Sequence, residues 1–527
     1  MTAHEGHGSM RTHHGCCDCG SCGEDVAEGI SRRDFLKAGS VAMGGLAMTG
    51  LTWSAMAAAE GADPPQAIAR KPIVVKPILT YATPGRRPQT SWRSWGGIQT
   101  QAHADQEVQR IGAELGKLAK AADFPVKFLP VSPAKSPADV TKALAESAEA
   151  DVVILYAAGG WTNCFDIIAK SGKDMIFFVR HKSGPVYLWY EIVSPIFLRR
   201  FSDRLAIKGI DDRDVVVDSS GELLWRLRGL CGLKNTRGTR IVAIGGASGW
   251  GGGGGGRAPK LSKDKLKFDI RTVSYQELSK LLQAAMKDAA AVKAAADRAA
   301  AYLNDKSVKL ETKREFVDNA FLLDSVFRSV MAKADARAIT VNACMGTIMP
   351  MSKTTACLAL STLNDAGYLA FCESDFVVIP SGVLLANISG RPQFLNDPTY
   401  PHAGVITLAH CTAPRRMNGK DLEPARIMTH FESDYGAAPQ VEMRKGQKVT
   451  NIIPDFAMAR WVGLSAEIVD APFLPICRSQ IDVAYKVPDQ KVAERMPGFH
   501  WETIYGDYMR EVGYALKKTS ITWEPLG

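Results

Sequence analysis

No block of lysine and arginine interrupts these 527 residues, and no stripe of aromatic and basic side chains accompanies their scattered positive charge. A formal net charge of +9 is modest for this length, so nucleic acid is not an expected partner. Beyond residue 59 no stretch approaches the ~20 continuous apolar residues that a helix needs to cross a bilayer. A disulfide framework is missing too. Four of the eleven cysteines (Cys16, Cys17, Cys19, Cys22) lie in an N-terminal leader, and the remaining seven are odd in number and irregular in spacing. Buried thiols are therefore expected. What is present is 46% hydrophobic content, enough for substantial cores and two to four domains.

The most specific segment lies near the start. Ser31-Arg32-Arg33-Asp34-Phe35-Leu36-Lys37 matches the S-R-R-x-F-L-K pattern of twin-arginine export signals. Residues 38–59 follow as an apolar, glycine-diluted stretch without an acidic residue, ending in Ala55-Met56-Ala57-Ala58-Ala59. An uncleaved anchor is the alternative. The glycines and the small-residue exit favour cleavage, which leaves no stable membrane span and places the mature chain in the periplasm. The twin-arginine machinery is thus one expected partner. Ahead of the signal, His4, His7, His13 and His14 precede the cysteine cluster. A soft-metal site there competes with an unstructured extension, and the extension is favoured because cleavage removes it.

Strand and helix patterns alternate after the signal. Residues 73–80, 126–129, 151–156 and 175–179 read as strands, and 104–121 reads as a helix. Ser136-Pro137-Ala138-Asp139 has the capping serine and first-turn proline of a helix start. This grammar implies a parallel sheet covered on both faces, with a first α/β domain over 70–200. A second α/β domain, 205–370, repeats it, with a short helix at 222–228 closed by Gly229 and a strand at 240–244. That strand runs into Gly245-Gly246-Ala247-Ser248-Gly249-Trp250 and six further glycines. A dinucleotide cradle needs a helix straight after such glycines, and Arg257-Ala258-Pro259-Lys260 reads as a helix breaker, so a flexible loop is expected. Residues 371–527 read as a β-rich closing domain of short alternating segments with a terminal helix after Gly506.

Polar groups that core packing does not require gather late in the chain. Phe371-Cys372-Glu373-Ser374-Asp375 places two carboxylates where a strand meets a loop, the position at which α/β sheets build sites. Asn396-Asp397-Pro398, Thr407-Leu408-Ala409-His410-Cys411-Thr412-Ala413-Pro414 and Gly498-Phe499-His500-Trp501 with Tyr505-Gly506-Asp507 follow. Together with residues 86–99, which contain Trp92-Arg93-Ser94-Trp95, these segments in this order resemble the L-fucose/L-arabinose isomerase superfamily, in particular its fucose-isomerase-like branch. The resemblance spans most of the mature chain.

It implies two Rossmann-like parallel-sheet domains followed by a β-rich C-terminal domain. It also implies aldose–ketose isomerisation through an enediol, with a hard divalent cation, Mn²⁺ or Mg²⁺, polarising the sugar oxygens. On this resemblance Asp375 and His500 hold the metal, Glu373 and Asp375 serve proton transfer, and Trp92, Arg93 and His410 line the sugar. Glu373 is a helper or alternative ligand. Relatives are oligomers with sites near subunit contacts, so a homo-oligomer is expected. One feature departs from the family. The segment after Val341 continues Asn342-Ala343-Cys344-Met345-Gly346-Thr347 without the family's upstream metal-binding glutamate. A catalytically silent carbohydrate-binding protein is therefore the alternative, and a transporter's solute-binding protein a third, less favoured one.

Neighbouring side chains carry simpler readings. His410 beside Cys411 suggests a nucleophile pair, but adjacent strand residues face opposite ways, which favours a site-lining or structural His410. His500 is open between metal ligand and core histidine, and Trp92, Arg93 and Trp95 between sugar contacts and loop packing. The export reading has a direct check. Replacing Arg32 and Arg33 with lysine leaves the protein in the cytoplasm with its leader attached, read by fractionation and by the mass of the recovered chain.

Overall fold

The computed structural model describes residues 67–526 apart from 161, 188, 189 and 251–253. The leader, the twin-arginine segment and the cleavage region lie outside the described residues. A mixed α/β architecture follows, with two parallel sheets and an antiparallel barrel.

The first sheet is parallel. Its spatial order is Val126–Phe128, Ile73–Thr80, Val152–Ala157, Asp174–Val179 and Val215–Val217. All eight residues of Ile73–Thr80 are buried, as a central strand covered on both faces requires. Pro77 is tolerated there for a local reason. Ile73 to Val75 pair with one short strand and Ile78 to Thr80 with another, Ser132–Ala134, so the missing N–H coincides with the gap between them. The sheet continues past residue 200 to Val215–Val217, further than the sequence pattern suggested.

The second sheet, also parallel, has the order Leu369–Phe371, Ala338–Val341, Arg240–Ile244, Asp269–Val273. A helix, Ala258–Leu266, does open after the glycine run. Pro259 occupies its first turn, where a missing N–H costs nothing, so the expected break is a helix start.

Six strands close the barrel. In order these are Lys448–Pro454, Trp501–Tyr505, Phe394–Pro398, Val405–His410, Ser479–Ala484 and Arg460–Asp470, and the last pairs back onto the first. Thr522–Leu526 joins Arg460–Asp470 in parallel. The β-rich expectation for this region overlooked one helix, Ile379–Ser389, whose eleven residues are all buried. Val383, Leu384, Leu385, Ala386 and Ile388 surround its axis and leave no polar face, so no amphipathic period marks it.

Helix Ser220–Thr236 is also longer than its sequence suggests, running through Gly229 and Gly232 rather than ending there. These glycines are contact points. A Cβ on Gly232 would stand 2.2 Å from Ile388 Cγ1, and one on Gly229 would stand 2.7 Å from the Glu511 carbonyl oxygen. The helix thereby lies close against Ile379–Ser389 and Met509–Lys517, joining the first half of the chain to the last. Among the described residues no helix is long and apolar enough to cross a membrane.

Gly232→Ala tests this crossing. Alanine is the better helix former, yet overpacking against Ile388 costs about 1–3 kcal/mol, so denaturant unfolding shows a net loss of stability.

Candidate metal centre

Strand Leu369–Phe371 ends in a turn of unusual backbone. Glu373 and Ser374 both adopt left-handed conformations, with φ of 62° and 48°. Non-glycine residues take that conformation in succession only where the surroundings hold them. Here the Ser374 N–H donates to the Thr340 hydroxyl at 3.1 Å. The Ser248 N–H donates to the Ser374 carbonyl at 3.3 Å, and the Phe376 N–H donates back to the Ser248 carbonyl at 3.1 Å. The chain just past Leu369–Phe371 is thus locked both to the adjacent strand Ala338–Val341 and to the segment following Arg240–Ile244, one strand further on.

Asp375 completes the lock. Its Oδ1 accepts from the Trp250 N–H at 3.1 Å and from the Val377 N–H at 3.0 Å. Its Oδ2 lies 2.8 Å from His500 Nδ1, and both side chains are fully buried. Asp375 was expected to meet the metal and to move protons. Its oxygens are instead occupied by two backbone amides and an imidazole, so it fixes the orientation of His500 from behind.

His500 then presents Nε2 to two other carboxylates. Glu373 Oε2 is 3.3 Å away and Asp397 Oδ1 is 3.2 Å away. None of these three atoms has a hydrogen-bond partner. His410 approaches from strand Val405–His410, with Nε2 3.8 Å from Glu373 Oε1 and Nδ1 2.9 Å from the Thr412 hydroxyl. One donor atom each from Glu373, His410 and His500 falls within a 4.8 Å sphere of mutual distances. The histidines are buried, whereas the Glu373 and Asp397 side chains keep 26% and 33% exposure, although the oxygens they turn toward His500 are themselves buried.

The electrostatics suit a cation. If the His500 Nδ1 proton serves Asp375, a neutral ring turns a bare Nε2 lone pair toward two carboxylate oxygens. Only a proton or a metal ion between them removes that repulsion. With no metal bound the ring takes the proton. Burial alone lowers the His500 pKa, but Asp397, Asp375 and Glu373 outweigh it and hold it well above the ordinary imidazole value. Burial likewise raises Glu373, which the attraction of His500 reverses to a value below the usual carboxylate range. Asp397 stays above that range because burial prevails over His500 and His410. The donors therefore fit a divalent ion, and two imidazoles favour Mn²⁺ over Mg²⁺.

His410, expected as a sugar contact, belongs to the donor set itself. His500 is where the metal reading put it. Trp92 and Arg93 stand apart. Arg93 lies over the Trp92 ring at 5.2 Å, and among the described residues no hydrogen bond or ion pair links either to the cluster. The expected loop freedom of the glycine run does not extend to its start, because Trp250 is tied to Asp375 and stacks on Phe499 with ring centres 4.6 Å apart. Cys411 does not serve His410. It is buried against Cys357, Ala438 and Cys477. Asp397 and Trp250 were not expected as site residues. The Asn396-Asp397-Pro398 run was the available signal for the first, and nothing local marks the second.

No family description and no curated protein matches this chain. Among solved structures, a solute-binding protein of an ABC transporter from Burkholderia multivorans, with an unknown ligand built as α-D-erythrofuranose, aligns with 61% of this chain. The alignment covers 95% of that protein at 12% identity and a TM-score of 0.15. A periplasmic solute-binding protein from Actinobacillus succinogenes with bound D-allose aligns with 61% of this chain and 90% of its own. Its identity is 14% and its TM-score 0.15. Scores this low carry no argument about fold or function.

Asp375→Asn removes the charge behind His500 while keeping its shape. The expected result is a Mn²⁺ affinity lowered roughly 10- to 100-fold by calorimetry, with an unchanged circular dichroism spectrum.

Proposed function

We propose that this protein is an exported, cation-dependent sugar-binding protein, and that its finer activity is aldose–ketose isomerisation of a monosaccharide or modified sugar. The observation that carries the reading is the convergence of buried Glu373 Oε2, Asp397 Oδ1 and His500 Nε2 without a hydrogen bond among them, beside His410, where the Glu373 and Asp397 side chains keep partial exposure. The resemblance to fucose and arabinose isomerases supports the choice of sugar and reaction.

A bound Mn²⁺ would supply Lewis acidity toward a carbonyl oxygen and its neighbouring hydroxyl. The residues supply the rest. Asp375 keeps the His500 ring fixed, so its Nε2 faces the site without reorganisation. The Thr412 hydroxyl does the same for His410. Glu373, exposed on one side and held by its strained turn, is the carboxylate placed to take the proton from the substrate carbon next to the carbonyl. It returns that proton to the former carbonyl carbon as the hydroxyl proton passes the same way, from the oxygen on the deprotonated carbon to the former carbonyl oxygen. Trp250 and Phe499, stacked above His500, form an apolar wall against which a sugar face can rest.

A specific observation supports the silent binding alternative. The turn after Val341 is built from Asn342, Ala343 and a π-helical segment, Cys344–Ile348, that carries no carboxylate. The two readings separate in D₂O. Mn²⁺-loaded protein is incubated with a panel of aldoses, with binding followed by the shift in melting temperature and exchange by deuterium at the carbon beside the carbonyl. Isomerisation predicts deuterium uptake that disappears in His500→Ala and Glu373→Gln. Binding without uptake on any sugar leaves a carbohydrate-binding protein, and no binding of cation or sugar overturns the reading as a whole.

A further inference from the structure

The second carboxylate of the centre has no source in the segment where its relatives' fold would supply one. Asn342 uses its side-chain oxygen on the Ala343 N–H, Ala343 sits at φ 42°, and the Cys344 sulfur accepts from the Ala356 N–H at 3.4 Å. That wall of the site offers no acid. We propose that Asp397, from the barrel side, supplies the missing carboxylate as a ligand of the cation held by Glu373, His410 and His500. The inference rests on the cation reading above and extends it to a residue outside the three-donor cluster.

The barrel ladder fixes the position. Phe394 pairs with Thr503, Leu395 with Glu502 and Asn396 with Trp501. Continuing this antiparallel register by one residue sets Asp397 opposite His500, and directly opposed residues project to the same face. On its other side Asp397 pairs with Ala409, the neighbour of His410. One backbone position is thus braced between the two strands that deliver the histidines. The 3.2 Å separation from His500 Nε2 follows from ladder geometry rather than from the reach of a long side chain.

The chemistry agrees. Asp397 Oδ1 is buried and unpartnered, as is His500 Nε2, although both oxygens of Asp375 are satisfied a few ångströms away. Three carboxylates and two imidazoles leave negative charge that two imidazoles alone do not offset, whereas a divalent ion does. A site with Glu373 as its only acid would lack both that balance and a fourth ligand.

The test uses the full mature chain stripped of metal and titrated with Mn²⁺ by calorimetry and with Co²⁺ by its visible absorption. Asp397→Asn is expected to lower Mn²⁺ affinity by no less than the roughly 10- to 100-fold that losing an outer-shell partner costs, and to change the Co²⁺ spectrum as a ligand is lost. Asp397→Glu, which keeps the carboxylate, retains most of the affinity. If the asparagine variant is poorly folded by circular dichroism, the glutamate variant decides, because a ligand moved by one methylene still shifts the Co²⁺ bands and a bystander does not. Wild-type affinity and an unchanged Co²⁺ spectrum in Asp397→Asn, with binding lost in Glu373→Gln, overturn the assignment of Asp397 and leave the cation reading standing. A wild-type chain that binds neither ion overturns both.

Discussion

Much of this molecule is arranged around one fully buried imidazole. His500 has its Nδ1 committed to Asp375 and its Nε2 facing Glu373 and Asp397, so three acids from two parts of the fold must meet one ring. An ion pair of that kind is stable only when its remaining hydrogen-bonding capacity is met, since stripping water from charged groups costs several kcal/mol each. The amides of Trp250 and Val377 meet it for Asp375. Their positions in turn depend on the exchange of backbone hydrogen bonds between Ser248 and the 374–376 turn. The left-handed pair Glu373–Ser374 is affordable because this network holds it, and the strain aims Glu373 at the histidines rather than along its strand.

The barrel contributes rigidity and one further constraint. Glu502, two residues beyond His500, is wholly buried with neither oxygen hydrogen-bonded, and burial holds its carboxyl well above the ordinary range. Burial thus works against a further negative charge beside the three carboxylates. The space for the side chain comes from Gly382, where a Cβ would stand 2.5 Å from the Glu502 carboxyl carbon. The helix hidden among the strands is thus shaped to a buried acid.

Sequence pattern revealed what depends on local periodicity. The strands Ile73–Thr80 and Arg240–Ile244, the helix Gln101–Ala121, and the capping box at Ser136 all follow from composition at short range. Elements governed by tertiary contact were illegible. Helix Ile379–Ser389 has no polar face to read, and Gly229 looks like a terminator until the helices crossing it and Gly232 are seen. The site divides the same way. Glu373, His410 and His500 stand in conspicuous polar runs, but that Asp375 lies behind His500 while Asp397 faces its Nε2 emerges only from the barrel. No local signal distinguishes a carboxylate that meets the open Nε2 of a histidine from one that holds its Nδ1.

The thiols bear on where such a centre can be assembled. None of the seven cysteines beyond the leader is in a disulfide, six are buried, and Cys357, Cys411 and Cys477 lie together just past His410. A chain threaded unfolded into an oxidising compartment would expose those sulfurs to exchange before packing could shield them. Folding before export, as the proposed twin-arginine route allows, avoids this. It also settles a question that ligand chemistry cannot. A pair of imidazoles with carboxylates binds Cu²⁺ and Zn²⁺ more tightly than Mn²⁺ in the ordinary order of affinities. If the cluster holds a cation as proposed, a site completed in the cytosol would take its ion from the pool held there, and burial of both histidines would slow replacement by the tighter-binding ions outside. The choice of metal would on that account be made by the compartment of folding, with the fold preserving it.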